Sequence, residues 1–147
     1  AREGAKVLCA DINLKSANET SNLIKDEGGD ASVIEVDVSD GEQVLGMVKT
    51  AMKTYGRIDI LHNNVGIAEI GGPVDATEES WDRVHDVNLK SAFLTCKHVI
   101  PIMQDQGEGS IINVSSISGE RWLGVPYISY STTKAALTQM TRVIARQ

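Results

Sequence analysis

The sequence has no surplus of positive charge. Its 14 Lys and Arg face 20 Asp and Glu, a net charge of −6. Phosphate binding needs clustered basic side chains, so nucleic acid is excluded as the main partner. No apolar stretch approaches the roughly 20 residues of a membrane helix, and Ala1-Arg2-Glu3-Gly4 shows no apolar core of a signal peptide. Cysteine is scarce: Cys9 and Cys96 sit inside apolar runs, as buried thiols of a reducing compartment do. The expected location is the cytoplasm. His62, His85 and His98 have no metal-ligand spacing and no cysteine or carboxylate cluster beside them, so no metal site is expected. Low-complexity segments, repeats and linkers are also absent.

What is present is an ordinary soluble composition, 41% hydrophobic and 23% charged. A length of 147 residues suits one domain with a real core. The chain begins at Ala1 without an initiating Met and ends at Gln147 inside a helical pattern, so it reads as an excerpt.

The apolar period switches repeatedly. Lys6–Asp11 predicts a strand, and Asn13 caps a helix to about Glu27 that Gly28-Gly29 stops. Ser32–Asp37 predicts a second strand. Ser39 with Glu42 forms a capping box for a helix with Val44, Val48, Ala51, Met52 and Tyr55 on one face, ending before Gly56. Ile58–His62 is a third strand, followed by a loop over Gly66–Val74. Thr77 opens a long helix, with Glu78-Glu79 suited to its first turn; Gly107–Gly109 breaks it. Ser110–Ser115 is a fourth strand, and Tyr130–Arg146 a last helix with Leu137, Met140, Val143 and Ile144 inward. Alternating strands and helices imply right-handed crossovers and an α/β fold, a doubly wound parallel sheet with helices on both faces. Such sheets bind ligands beyond the carboxyl ends of their strands.

The strand ends are therefore the places to read. Asp11 ends the first strand, where a carboxylate can accept ribose hydroxyls of a dinucleotide or simply cap a helix. Asp37 and Val38 end the second; Asp37 suits an adenine amino group or part of a helix cap. Asn63-Asn64-Val65-Gly66 ends the third, and Gly66 permits close backbone approach. Ser115 and Ser116 end the fourth. Tyr130 and Lys134 stand four apart, on one helix face. A free phenol has a pKa near 10 and exchanges protons poorly at neutral pH. A nearby ammonium favours the phenolate, which makes a better general acid/base. At such a spacing the pair also occurs by chance on solvated faces.

Together these marks resemble the short-chain dehydrogenases/reductases, of the classical type. DVS at Asp37–Ser39, NNVG at Asn63–Gly66, Asn88 in DVNLKSAF, INVSS at Ile112–Ser116 and YSTTK at Tyr130–Lys134 follow the family's order over nearly the whole chain. The resemblance implies a Rossmann-like three-layer α/β/α domain that transfers hydride between NAD(P) and a secondary alcohol or ketone. Tyr130 would be the acid/base. Lys134 would lower its pKa and hold the nicotinamide ribose, and Ser116 would bond the reacting oxygen. Asn88 would sit at a break in its helix and hold a proton-relaying water. Asp11 would bind the adenosine ribose, Asp37 and Val38 the adenine, and Asn64, Val65 and Gly66 would line the cofactor cleft. Asp11 favours NAD over NADP, because a carboxylate repels a 2′-phosphate.

The sequence departs from the family pattern in places. The glycine-rich turn TGxxxGxG would precede Asp11 by about 20 residues, ahead of Ala1, together with the central strand of the sheet. Residues 1–147 would then be one dinucleotide-binding catalytic domain, incomplete at that first unit and at the C-terminal substrate lid. Val65 replaces the alanine of NNAG. Ser116 precedes Tyr130 by one position more than is common, which leaves Ser115 and Ser118 as alternatives. Arg121, Trp122 and Tyr127 are the candidate substrate contacts. The expected partners are a small alcohol or ketone and a second copy or more, a homodimer or homotetramer paired through Thr77–Met103 and Tyr130–Arg146. Two competing readings stay open: a cofactor-binding regulator without turnover, and a piece inert by itself, its half-sheets exposing unpaired edges.

Overall fold

A computed structural model describes residues 1–146. Four parallel-paired strands and five α-helices alternate along the chain. They are β1 (Val7–Asp11), α1 (Leu14–Asp26), β2 (Ala31–Glu35), α2 (Gly41–Tyr55), β3 (Ile60–Asn63), α3 (Glu78–His85), α4 (Ser91–Gln106), β4 (Ser110–Asn113) and α5 (Ile128–Ile144). A π turn, Asp86–Lys90, joins α3 to α4, and a 3₁₀ turn, Ile117–Gly119, precedes α5. The expected elements are there with ends shifted by a few residues, except that the single long helix expected from Thr77 is divided into α3 and α4 by the π turn.

Two local expectations are corrected. The N-cap of α2 is Asp40, not Ser39: the Asp40 carboxylate accepts from the backbone N–H groups of Glu42 and Gln43. The residue reaching back is Gln43, whose amide oxygen accepts from Asp37 N at 2.9 Å, so Glu42 has no part in a capping box. The last helix begins at Ile128, two residues earlier than its polar start suggests, and Val143 lies 52% exposed instead of inward.

The strands form two separate two-stranded parallel sheets, β1 with β2 and β3 with β4. Side chains alternate across each strand, so the packing of the two faces can be followed residue by residue. Val7 and Cys9 of β1, with Ala31 and Val33 of β2, pack under Ala17 and Ile24 of α1. On the opposite face Ser32 shares a hydrogen bond with the Tyr55 hydroxyl of α2, which itself donates to Val7 O. Helices thus cover both faces, as in a three-layer α/β/α arrangement. On β3 and β4, Leu61 and Ile111 pack with Val48 of α2 and with Val99 and Met103 of α4. Fully burying each such side chain contributes about 1.5–3 kcal/mol. The other face of this pair is open, with Ile60 57% and Ile112 47% exposed.

The edges of β1 and β3 face each other across a cleft of about 800 Å³, floored by α2 and α4. At its carboxyl end it meets Val38, Asn64, Val65 and Asn88. Cys9 and Cys96 are free, buried thiols, and burial pushes both above the ordinary thiol value. No helix among the described residues is long and apolar enough to cross a membrane.

Candidate functional site

Because the strands of each pair run parallel, their carboxyl ends meet on one edge. Asp11 and Asp37 occupy the β1–β2 part of it. Asp11 pairs in register with Glu35, and its Oδ1 accepts from Asn13 N at 2.8 Å, so it closes the turn into α1. Its other carboxylate oxygen has no protein partner among the described residues. Asp37 accepts from both the backbone and the hydroxyl of Ser39, at 2.9 and 2.6 Å. Neither aspartate is the N-cap of its helix, those being Asn13 and Asp40; each closes the turn leading to the helix and keeps an oxygen able to accept a ligand donor.

Five of the predicted residues converge on the β3–β4 part. The π turn is the first cause. It adds one residue to the helical repeat at Asp86–Lys90, as turns of this kind do at functional sites. That rotation drives Asn88 inward until it is 1% exposed. Its Oδ1 accepts from Ile67 N and its Nδ2 donates to Ile67 O, each at 2.8 Å. The same amide reaches Thr133 Oγ1 of α5 at 3.2 Å, and Thr133 donates to Tyr130 O. Asn88 thus clamps the loop after β3 to both helices.

Lys134 is the second element. It is 3% exposed. Its Nζ donates to Val114 O at 2.7 Å and stands 5.6 Å from the centre of the Tyr130 ring. Burial pushes the ammonium below the ordinary lysine value of 10.5. Gly66 lies against both groups: a Cβ built there would come 3.3 Å from Lys134 Nζ and 3.5 Å from Asn88 Oδ1. The β3 loop thus runs in close contact with both site groups at Gly66.

The sign of the Lys134 shift predicts a pH dependence. An ammonium whose folded pKa lies below its unfolded one binds fewer protons when folded, so stability rises with pH through the window just below 10.5. The melting temperature of wild type relative to Lys134→Met should therefore climb from neutral pH toward that value. A difference that stayed flat or fell would contradict the assignment.

The serines separate by their partners. Ser115 Oγ donates to Lys134 O at 2.8 Å and pairs with Thr138 Oγ1. Ser118 is buried and pairs with Ser131 Oγ at 2.6 Å. Ser116 caps the 3₁₀ turn, accepting from Ser118 N at 3.2 Å, and its own proton has no acceptor among the described residues. The Tyr130 hydroxyl has no protein partner there either; its ring meets Tyr127 edge-on at 6.1 Å. Trp122 is 72% exposed in the loop between the turn and α5. That loop is tied to the one after β3, since Gly71 N donates to Pro126 O and Ile128 N to Gly71 O.

Sequence reasoning missed a polar ladder behind the site. Thr95 Oγ1 donates to Asn63 Oδ1, Asn63 Nδ2 to Asn113 Oδ1, and Asn113 Nδ2 to Thr141 Oγ1, all within 2.9 Å. It joins α4, β3, β4 and α5. Asparagines at matching positions near the ends of two strands were the available signal.

This is an α/β nucleotide-type fold with a Tyr–Lys pair, a serine and a buried asparagine gathered at its strand ends. Comparison with known proteins agrees: the short chain dehydrogenase family profile matches residues 1–147. The chain belongs to that family. It is 44% identical over 147 residues, 99% of this chain and 57% of the relative, to an uncharacterized oxidoreductase of Thermotoga maritima. It is 35% identical over 146 residues, 99% of this chain and 58% of the relative, to cyclopentanol dehydrogenase of Comamonas testosteroni. It is 37% identical over 151 residues, 100% of this chain and 59% of the relative, to 3-oxoacyl-[acyl-carrier-protein] reductase of Thermotoga maritima. A crystal structure from Burkholderia xenovorans, assigned to the short-chain dehydrogenases/reductases, superposes with a TM-score of 0.96 at 42% identity, covering 99% of this chain and 57% of that one. The chain spans a little over half the length of these proteins.

Proposed function

We propose that this chain provides the catalytic centre of an NAD-dependent oxidoreductase acting on a secondary alcohol or its ketone. The observation that carries the reading is the placing of Lys134 Nζ 5.6 Å from the Tyr130 ring, on the same strand-end edge as Gly66, Asn88 and Ser116. The residues present fit a dinucleotide. Asp11 keeps a free carboxylate oxygen for ribose hydroxyls, Asp37 and Val38 would flank the adenine, and Asn64, Val65 and Gly66 follow β3 at the carboxyl edge, where Gly66 runs beside Lys134 and Asn88. A carboxylate at Asp11 favours NAD over NADP through repulsion of a 2′-phosphate. The chemistry such a cofactor supplies when bound is hydride transfer.

The protein's own residues handle the proton. In oxidation the Tyr130 oxygen takes the proton of the substrate hydroxyl; in reduction it returns one to the carbonyl oxygen. The Lys134 ammonium stabilises negative charge on that oxygen while holding Val114 O. Ser116 donates to the reacting oxygen. Asn88 holds the β3 loop and α5 in register, since its amide is already engaged with Ile67 and Thr133. Relatives named for an alcohol dehydrogenation and for an oxoacyl reduction are consistent with either direction of the reaction. Pairing of copies through α3–α4 and α5 belongs to the same reading, supported by the half-exposed Phe93 and Val143.

The test uses the protein expressed at the full length of its gene, with NAD and a panel of secondary alcohols. Turnover is expected, and Ser116→Ala should lower kcat about 10²-fold or more, in the range of a lost oxyanion donor. Ser115→Ala should act mainly on stability, and both it and Ser118→Ala should lower kcat far less than Ser116→Ala. NAD binding with no turnover on any alcohol or ketone would sink the enzyme reading in favour of a cofactor-binding regulator.

A further inference from the structure

The Ile117–Gly119 turn lies flat on α5, and the point of closest approach is the backbone of the lysine that the site uses. A Cβ built at Gly119 would stand 2.6 Å from Ala135 N, 2.8 Å from the carbonyl carbon of Lys134 and 3.2 Å from Ala135 Cα. All three are backbone atoms and cannot rotate aside. Normal contact of such atoms begins near 3.5 Å, so even one methyl group would lift the turn by about 1 Å.

The lift would reach Ser116. Gly119 N donates to Ser116 O at 3.0 Å, and Ser118 N to Ser116 Oγ at 3.2 Å, so the turn and its capping serine move together. Further stitches hold the segment to α5: Ser118 Oγ with Ser131 Oγ, Ser115 Oγ to Lys134 O, and Lys134 Nζ to Val114 O. We infer that Gly119 is a positioning residue of the active site, its missing side chain setting the distance of Ser116 from Tyr130 and Lys134. This rests on the proposed function.

The experiment compares Gly119→Ala with wild type in the full-length protein. Gly46→Ala serves as control, because a Cβ at Gly46 meets nothing within 4 Å. A misplacement near 1 Å lowers kcat about 10- to 100-fold. Expected for Gly119→Ala is that loss with NAD affinity retained, the alcohol KM changed less than kcat, and cooperative melting preserved; the control should match wild type in kcat and KM. A glycine serving only the fold would lower the melting temperature and leave kcat per folded molecule intact, which overturns the inference. Should Gly119→Ala not fold, Ser118→Ala decides, since it loosens the same turn without a clash. A kcat loss of about twofold to fivefold with melting retained supports positioning, and an unchanged kcat overturns it. Wild type without turnover defeats the proposed function itself; active wild type beside a fully active Gly119→Ala defeats this inference alone.

Discussion

Replacing Tyr130 by Phe in the full-length protein is expected to lower kcat about 10²- to 10⁴-fold, the range that a positioned general acid/base contributes. The substitution is unusually clean. Phe keeps the ring 5.6 Å from Lys134 and edge-on to Tyr127, so the cation–ring contact and the packing survive. The hydroxyl it removes bonds no protein group among the described residues, so no partner is left unsatisfied in the fold. Stability should change by no more than about 0.5 kcal/mol, as for other substitutions that spare the core. Loss of rate without loss of stability is therefore the signature, measured by steady-state kinetics beside a thermal melt. Unchanged turnover would remove Tyr130 from the chemistry.

The second large effect is on stability. Asn88→Ala should cost about 2–5 kcal/mol, because it strips the half-buried N–H and C=O of Ile67 of their partner, at up to about 1–3 kcal/mol for each orphaned group. Thr133 loses a donor as well. For a chain of this size that corresponds to a fall in melting temperature of roughly 5–15 °C. Asn88→Asp sharpens the test. A carboxylate still accepts from Ile67 N but cannot donate to Ile67 O, so two acceptors face each other in a buried place. It should be destabilised as well, although the side chains are nearly the same size. If both variants melted with wild type, the clamp would have no energetic weight.

Much of this was legible along the chain. The 3.6-residue and two-residue periods placed the strands and helices, because amphipathic patterning is local, but not the π turn that divides the long helix into α3 and α4. Caps were legible where they are short-range: Asn13 and Thr77 accept from their own helix starts as expected. The choice between Ser39 and Asp40 failed because both residues are good caps and neighbours, and only backbone geometry tells them apart. Val143 was misplaced because the helical period marks an apolar face without saying what covers it.

By itself, then, the amino-acid order determined the alternating α/β class, the strand-end positions of Asp11, Asp37, Asn64–Gly66 and Ser116, and the shared helix face of Tyr130 and Lys134. Tertiary structure alone decided the serine with an uncommitted proton and the clamp of Asn88 on Ile67, 21 residues away. It also decided the seat of Gly119 on α5. The reason is range. Periodicity and capping follow from bonds within a few residues, whereas these features depend on groups 15 to 50 positions apart, whose meeting leaves no local mark in the sequence.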